Sequence, residues 1–315
     1  MVLRARGSLC AVVLTVALAA CAGAATKEAT PTTATVATTT TVAPSRPFSV
    51  TRRDVTVEDS SRTTNALADH NLAAEPSRTL PIMLLVPDGP GPFPLVEYSH
   101  GQNGTGPQGE SLLRPIAAAG YVVIAPTFPL SASPIGDIGD YVNQPADVYF
   151  AIDAVIKMAN DRSNPLYGRV DSSHIALAGH SLGAITTVGA VYNSCCAQPR
   201  ITAAIELSGV ELPFGDGSYD VRPPVPLLLA HGAMDARVPV DGSEHLFASV
   251  TGPAAYLRFA AGTHGSILAG EDGELLRQAV IAWLDKWLRD DGAGLARLDE
   301  AVTTSGVATL ETKNL

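Results

Sequence analysis

The sequence predicts an α/β protein, a mostly parallel central sheet flanked by helices, and three observations carry that expectation. Short apolar runs alternate with longer helical stretches from about residue 80 to 290, the order that packs helices on the faces of a parallel sheet. Two of the runs, 121–125 and 174–178, are apolar almost throughout, as strands buried on both faces are. The composition, 46% hydrophobic and 17% charged, can bury such a core and excludes a mostly disordered chain. The 315 residues carry 21 Lys and Arg against 31 Asp and Glu, for a net charge of −10. That acidity, with no basic run, argues against nucleic acid as a partner, because phosphate binding needs a positive face.

The chain opens on an expected export signal at residues 1–20. Arg4 and Arg6 precede an apolar run at 9–20 that is shorter than the ~20 residues a membrane-spanning helix needs. The end of the run, Leu18-Ala19-Ala20-Cys21, resembles the lipobox of bacterial lipoproteins. That resemblance implies lipidation of Cys21, membrane anchoring and an extracytoplasmic location. Cleavage after Ala22-Gly23-Ala24 is the alternative, and it would release a secreted protein. The Thr-rich stretch that follows has no apolar face, so 21–47 reads as a lipidated Cys and a disordered tether.

Strands are expected at 80–86, 94–99, 121–125, 173–178, 202–207, 225–230 and 255–260, with an earlier pair near 49–59. Helices are expected at 146–159, where Pro145 suits the first turn, and at 181–192 and 271–289. Trp283 and Trp287 stand one helical turn apart, and packing the last helix on the sheet is their expected job. Residues 48–291 therefore form one catalytic-size domain, and 292–315, with weak periodicity, read as an appendage. Only 209–224 separate two of the strands, too few for a helical cap domain, so the site should be open.

The chemistry is signalled directly after the run at 174–178, where Gly179-His180-Ser181-Leu182-Gly183 leads into a helix. A G-x-S-x-G between strand and helix forces the serine into a strained turn that lifts its hydroxyl above the sheet. A serine hydroxyl needs a base to take its proton. His264, after the last strand run, is the candidate, with Asp235 in His231-Gly232-Ala233-Met234-Asp235 as the group that orients it. Oxyanion donors are expected from the Leu182 amide and from the Gln102 amide in His100-Gly101-Gln102-Asn103-Gly104. Phe128 is a candidate apolar wall for substrate, with simple loop packing as the alternative.

The stretches TLPIMLLVPDGPGPFPLVEYSHGQNG, GYVVIAPTFP and VDSSHIALAGHSLGA resemble the α/β-hydrolase superfamily. Within it they resemble the dienelactone-hydrolase-like and platelet-activating-factor-acetylhydrolase-like branch, which includes bacterial polyester hydrolases. The resemblance implies an α/β-hydrolase fold and a serine esterase acting on carboxylic esters without a metal or organic cofactor. Two departures stand out. Dienelactone hydrolases proper use a cysteine nucleophile where this chain has Ser181, and the acetylhydrolases place the acid after the preceding strand, where this chain has Glu206, Ser208 and Glu211. Lipase-like or polyester hydrolysis, peptidase chemistry on the same fold and a non-catalytic surface binding module remain as alternatives.

Competing residues have simpler readings. His100 and His231 close strand runs and would support loops; His174 opens a strand, His180 adjoins the nucleophile and His70 lies in an irregular stretch. Asp241 reads as a helix cap. Cys195 and Cys196 suit no metal site; they would be free buried thiols or pair with each other or with another molecule. No glycine-rich nucleotide loop is present, so no nucleotide cofactor is implied.

Overall fold

The apolar runs form one 9-stranded sheet in the computed structural model of the chain, which describes residues 47–220 and 223–315. The strands are β1 (Val50–Asp59), β2 (Arg78–Pro87), β3 (Phe93–Ser99), β4 (Val122–Pro126), β5 (Val170–His180), β6 (Ile201–Leu207), β7 (Leu227–Gly232), β8 (Ala254–Phe259) and β9 (Ala308–Lys313). Their order is β1-β2-β4-β3-β5-β6-β7-β8-β9. The six strands from β4 to β8 in that order are mutually parallel, and antiparallel partners close both edges. Parallel neighbours require crossovers. Helices α1 (Glu110–Ala118), α2 (Gln144–Asn160), α3 (Leu182–Tyr192) and α4 (Asp241–Ser249) lie in them, and α5 (Gly270–Arg289) and α6 (Gly294–Ser305) follow β8. The region near 49–59 is a single long strand rather than a pair.

Side chains alternate across the sheet with the period of two that strands impose. Ile175 and Leu177 of β5 join Val148, Ile152 and Val188 on one face, while Ala176 and Ala178 join Ile116, Leu276 and Trp283 on the other. Thus α2, α3 and α4 cover one face, and α1, α5 and α6 the other. Trp283 is fully buried, and the Trp287 ring packs 5.6 Å from it, so both tie α5 to the sheet as expected.

The tail departs from expectation. Residues 292–315 are not an appendage: α6 buries Leu298 and Val302 against α5, and β9 pairs antiparallel with β8 along Ala308–Lys313. An edge strand with one face toward solvent carries few apolar residues, which is why its periodicity reads as weak. The expected signal segment, Cys21 and most of the tether lie outside the described residues. Among the described residues, no helix is long and apolar enough to cross a membrane.

One buried ion cluster holds the loop after β4. Arg78 is 1% exposed and binds Asp140 and Asp147, both fully buried, with its closest contacts at 2.9 and 2.6 Å. Arg62 adds a second cation at Asp147, 2.7 Å away. Breaking a buried pair leaves uncompensated charge and costs about 3–5 kcal/mol, so Arg78→Met is expected to lose that much at neutral pH. Burial already pushes the Asp147 carboxyl above its ordinary range, against the pull of Arg78 and Arg62. A carboxyl raised in the folded state favours folding at low pH and loses that contribution as pH rises through its folded value. The deficit should therefore grow from acid to neutral pH. Urea midpoints at pH 4 and 7, with an unchanged m-value, check this; a deficit that does not vary with pH would refute it.

Candidate active site

The strand–turn–helix unit predicted around Ser181 is present. β5 ends at His180, and α3 begins at Leu182. Between them Ser181 holds φ 56° and ψ −119°, a conformation non-glycine residues adopt only under constraint. The Ser181 amide donates to the Leu207 carbonyl at 2.9 Å, which ties the turn to the end of β6. Gly183 explains the second glycine of the pattern: a Cβ there would strike the Ser99 carbonyl, so only glycine lets α3 approach β3.

Two loops bring the partners. Ser181 Oγ lies 2.8 Å from His264 Nε2, and His264 Nδ1 lies 2.7 Å from Asp235 Oδ2. Ser181 is 8% exposed, and the Asp235 side chain is fully buried. The remaining Asp235 oxygen accepts from the Arg237 and Val238 amides at 2.8 and 2.9 Å. Burial pushes this carboxyl up, but the Val238 and Arg237 amides and His264 outweigh it and hold it below the ordinary range. An ionised Asp235 then fixes His264 with the proton on Nδ1, leaving Nε2 free to accept from the serine hydroxyl. The arrangement can deprotonate Ser181 during nucleophilic attack.

The loop expected to supply an oxyanion donor lies against the serine. A Cβ on Gly101 would stand 3.2 Å from Ser181 Cβ, so the loop backbone passes directly beside the nucleophile. The Asn103 amide donates to Ser131, the Gly104 amide donates to Gly101, and the Gln102 side chain donates to the Gly136 carbonyl at 2.7 Å. Leu182 opens α3, where amides lack intrahelical acceptors. A cleft of about 220 Å³ adjoins this loop, lined by Tyr98, Gln102, Gln108, Ser111, His180 and Leu268 among others.

Phe128 does not line that cleft. It is fully buried, its amide donates to His100 Nε2 at 3.0 Å, and its ring lies 5.0 Å from the His100 ring. The His100 hydrogen bond holds the start of the loop after β4 down on the sheet, so the reading as an apolar wall gives way to loop packing. His100 and His231 support loops as expected, His231 contacting Val238, Ser243 and Asp235. Burial pushes the His100 imidazole down to about 4, against its bond to Gly101.

Five further features qualify the sequence reading. His180 does more than adjoin the nucleophile: its Nε2–H donates to the His264 carbonyl at 2.8 Å, and the two rings lie 4.8 Å apart. Burial pushes the His180 imidazole down to about 4, so it stays neutral beside His264 at neutral pH. Glu206 lies at the end of β6, accepts from the Gly209 amide and contacts Ser243; the acid beside His264 is Asp235. Cys195 and Cys196 are joined to each other, with Cys195 exposed, rather than free buried thiols. Asp241 is not the cap expected of it: it is the first residue of α4, an acidic residue in its first turn, and Val240 holds the N-cap position without a side-chain capping bond. Sequence reasoning passed over Ser243, whose role depends on a neighbour 12 residues away. The signal that could have pointed there is the carboxyl group of Glu206 inside the largely apolar run ITAAIEL.

The sequence model of the chlorophyllase family matches residues 52–239, more than half of the chain. The match includes Ser181 and Asp235 and ends before His264. No curated protein matches the chain. The sheet order, the strand–turn–helix unit and this match agree: the chain belongs to the chlorophyllase family and is a hydrolase of α/β fold acting on esters.

Proposed function

We propose that the chain is a serine esterase that cleaves carboxylic esters through an acyl-enzyme intermediate. The observation that carries this reading is the continuous Ser181–His264–Asp235 array, with contacts of 2.8 and 2.7 Å. Ser181 attacks the ester carbonyl while His264 takes its proton and returns it to the departing alcohol. Asp235 stabilises the imidazolium. The oxyanion is bound by the amides of Leu182 and Gln102; the latter is favoured because the neighbouring Asn103 and Gly104 amides already have acceptors. Water activated by His264 then releases the acid. The short segment between β6 and β7 leaves the site open, and the adjoining cleft of about 220 Å³ suits a small acyl or alcohol group. Short esters, accessible polymers and lipids at a surface fit this shape, in keeping with the dienelactone-hydrolase-like and acetylhydrolase-like resemblance.

A fluorophosphonate probe should label the full chain stoichiometrically at Ser181, mapped by peptide mass, and should abolish turnover of nitrophenyl esters. Absence of both labelling and turnover would instead favour a non-catalytic binding module. A chain-length series of nitrophenyl esters separates esterase from lipase behaviour, matched amides test peptidase chemistry, and chlorophyll belongs in the panel because of the family's name.

Export and lipidation at Cys21 are part of the proposal, supported by Arg4, Arg6, the apolar run and Leu18-Ala19-Ala20-Cys21. Cys21→Ala should move the protein from the membrane fraction into the medium. A wild-type protein already found in the medium would refute the anchor.

A further inference from the structure

Behind Asp235 stands a set of polar side chains that the mechanism above does not use. His231 closes β7, and its Nε2 lies 3.2 Å from Asp235 Oδ2 and 3.0 Å from the Val238 carbonyl. Both neighbours are acceptors at this position, so Nε2 carries a proton. His231 Nδ1 lies 2.6 Å from Ser243 Oγ in α4, and Ser243 Oγ lies 3.0 Å from Glu206 Oε2 at the end of β6. The other Glu206 oxygen accepts from the Gly209 amide. Glu206, Ser243 and His231 are each 0% exposed, so each depends on the others for its hydrogen bonds.

Ser243 has one hydroxyl proton and two neighbours, which leaves two self-consistent arrangements. In the first, a protonated Glu206 donates to Ser243, Ser243 donates to His231 Nδ1, and His231 Nε2–H donates to Asp235. In the second, Glu206 is ionised and an imidazolium at His231 donates to Ser243. The second adds two charges to a space already holding the Asp235 carboxylate, and buried charge is expensive. Burial also raises the Glu206 carboxyl above its ordinary range, against the opposing pull of His231, Gly209 and Ser243. The other titratable groups bearing on this cluster include His264, His180 and Tyr256; His180 is neutral at neutral pH, and burial with Glu244 and Glu206 nearby pushes the Tyr256 phenol up. Of the two, the first keeps added charge out of this buried space, and the proposal adopts it.

We propose that Glu206, Ser243 and His231 form a buried one-way donor chain that ends on Asp235, with His231 as a positioning residue for the triad carboxylate. The proposal rests on the serine esterase reading. Asp235 Oδ1 is held by two backbone amides, but Oδ2 is the oxygen that must face His264. A second donor on Oδ2 from behind restricts the direction in which it can accept. His231 touches no substrate; it acts through Asp235.

The test compares full-length variants using nitrophenyl acetate and a fluorophosphonate probe. His231→Leu should lower kcat about 10- to 100-fold, the loss typical of a group that orients another, with KM within about twofold. The labelling rate at Ser181 should fall in parallel. His231→Gln, whose amide can still donate to Asp235, should recover part of both. Ser243→Ala removes a single oxygen and should lower kcat in the same direction, so it decides the matter if His231→Leu does not fold. Glu206→Gln, which can still donate to Ser243, should cost less than Glu206→Leu. Folded His231→Leu or Ser243→Ala with wild-type kcat and labelling rate overturns the donor chain while leaving the esterase reading intact. A wild-type protein that neither labels nor turns over ester overturns both.

Discussion

Ser181→Ala is expected to reduce kcat for an activated ester by about 10⁵- to 10⁶-fold, and Ser181→Ala/His264→Ala to lose no more. In the proposed mechanism the hydroxyl and the imidazole act in one step, because Ser181 Oγ stands 2.8 Å from His264 Nε2. Removing either member therefore removes the whole contribution. The activity that remains should come from the oxyanion donors and from substrate positioning, which the substitution leaves in place. Stopped assays over hours, with enzyme concentration verified by absorbance, give the needed range. Retention of more than about one per cent of wild-type kcat, or a multiplicative loss in the double variant, would show that Ser181 is not the nucleophile.

Asp235→Asn should lower kcat by about 10³- to 10⁴-fold with little change in KM. The geometry makes the direction specific. One carboxylate oxygen accepts from the Arg237 and Val238 amides, so the amide oxygen of asparagine must take that place. The asparagine NH₂ is then turned toward His264 Nδ1 and His231 Nε2, both of which donate in the wild-type arrangement. Relief comes from moving the His264 proton to Nε2, and in that tautomer the imidazole cannot accept from Ser181. Raising the pH should not restore activity, because the tautomer rather than the charge is wrong. A variant within tenfold of wild type would show that Asp235 does not set the state of His264.

That Ser181, His264 and Asp235 would meet was legible in the sequence for a physical reason particular to each residue. Ser181 stands in a pattern whose glycines are dictated by contact, Gly179 against the Gly183 carbonyl and Gly183 against the Ser99 carbonyl. His264 and Asp235 follow strand runs that end on one edge of a parallel sheet, so strand order alone brings their loops to the nucleophile. Phe128 kept two readings in the sequence, apolar wall and loop packing, because a phenylalanine on a loop near the site has two possible faces. The His100 side chain, 28 residues away, decides which one it shows. The tail was misread because edge pairing with β8 is a backbone interaction that leaves little apolar pattern in β9. For Cys195 and Cys196, adjacency in sequence says that pairing is possible, and the surrounding loop decides it.

By itself the sequence determined the α/β class, the approximate places of the strand runs from β2 to β8, the serine turn and the histidine and aspartate loops. Those features are local: hydrophobic period, glycine at forced contacts and loop placement after strands. Only the tertiary structure decided which acid reaches His264, how the Arg78 ion cluster seats the loop after β4, and that Glu206, Ser243 and His231 stand in line behind Asp235. These depend on side chains far apart in the chain meeting in a buried space. There, buried polar groups gain most of their partners from distant parts of the chain, which local sequence pattern does not record.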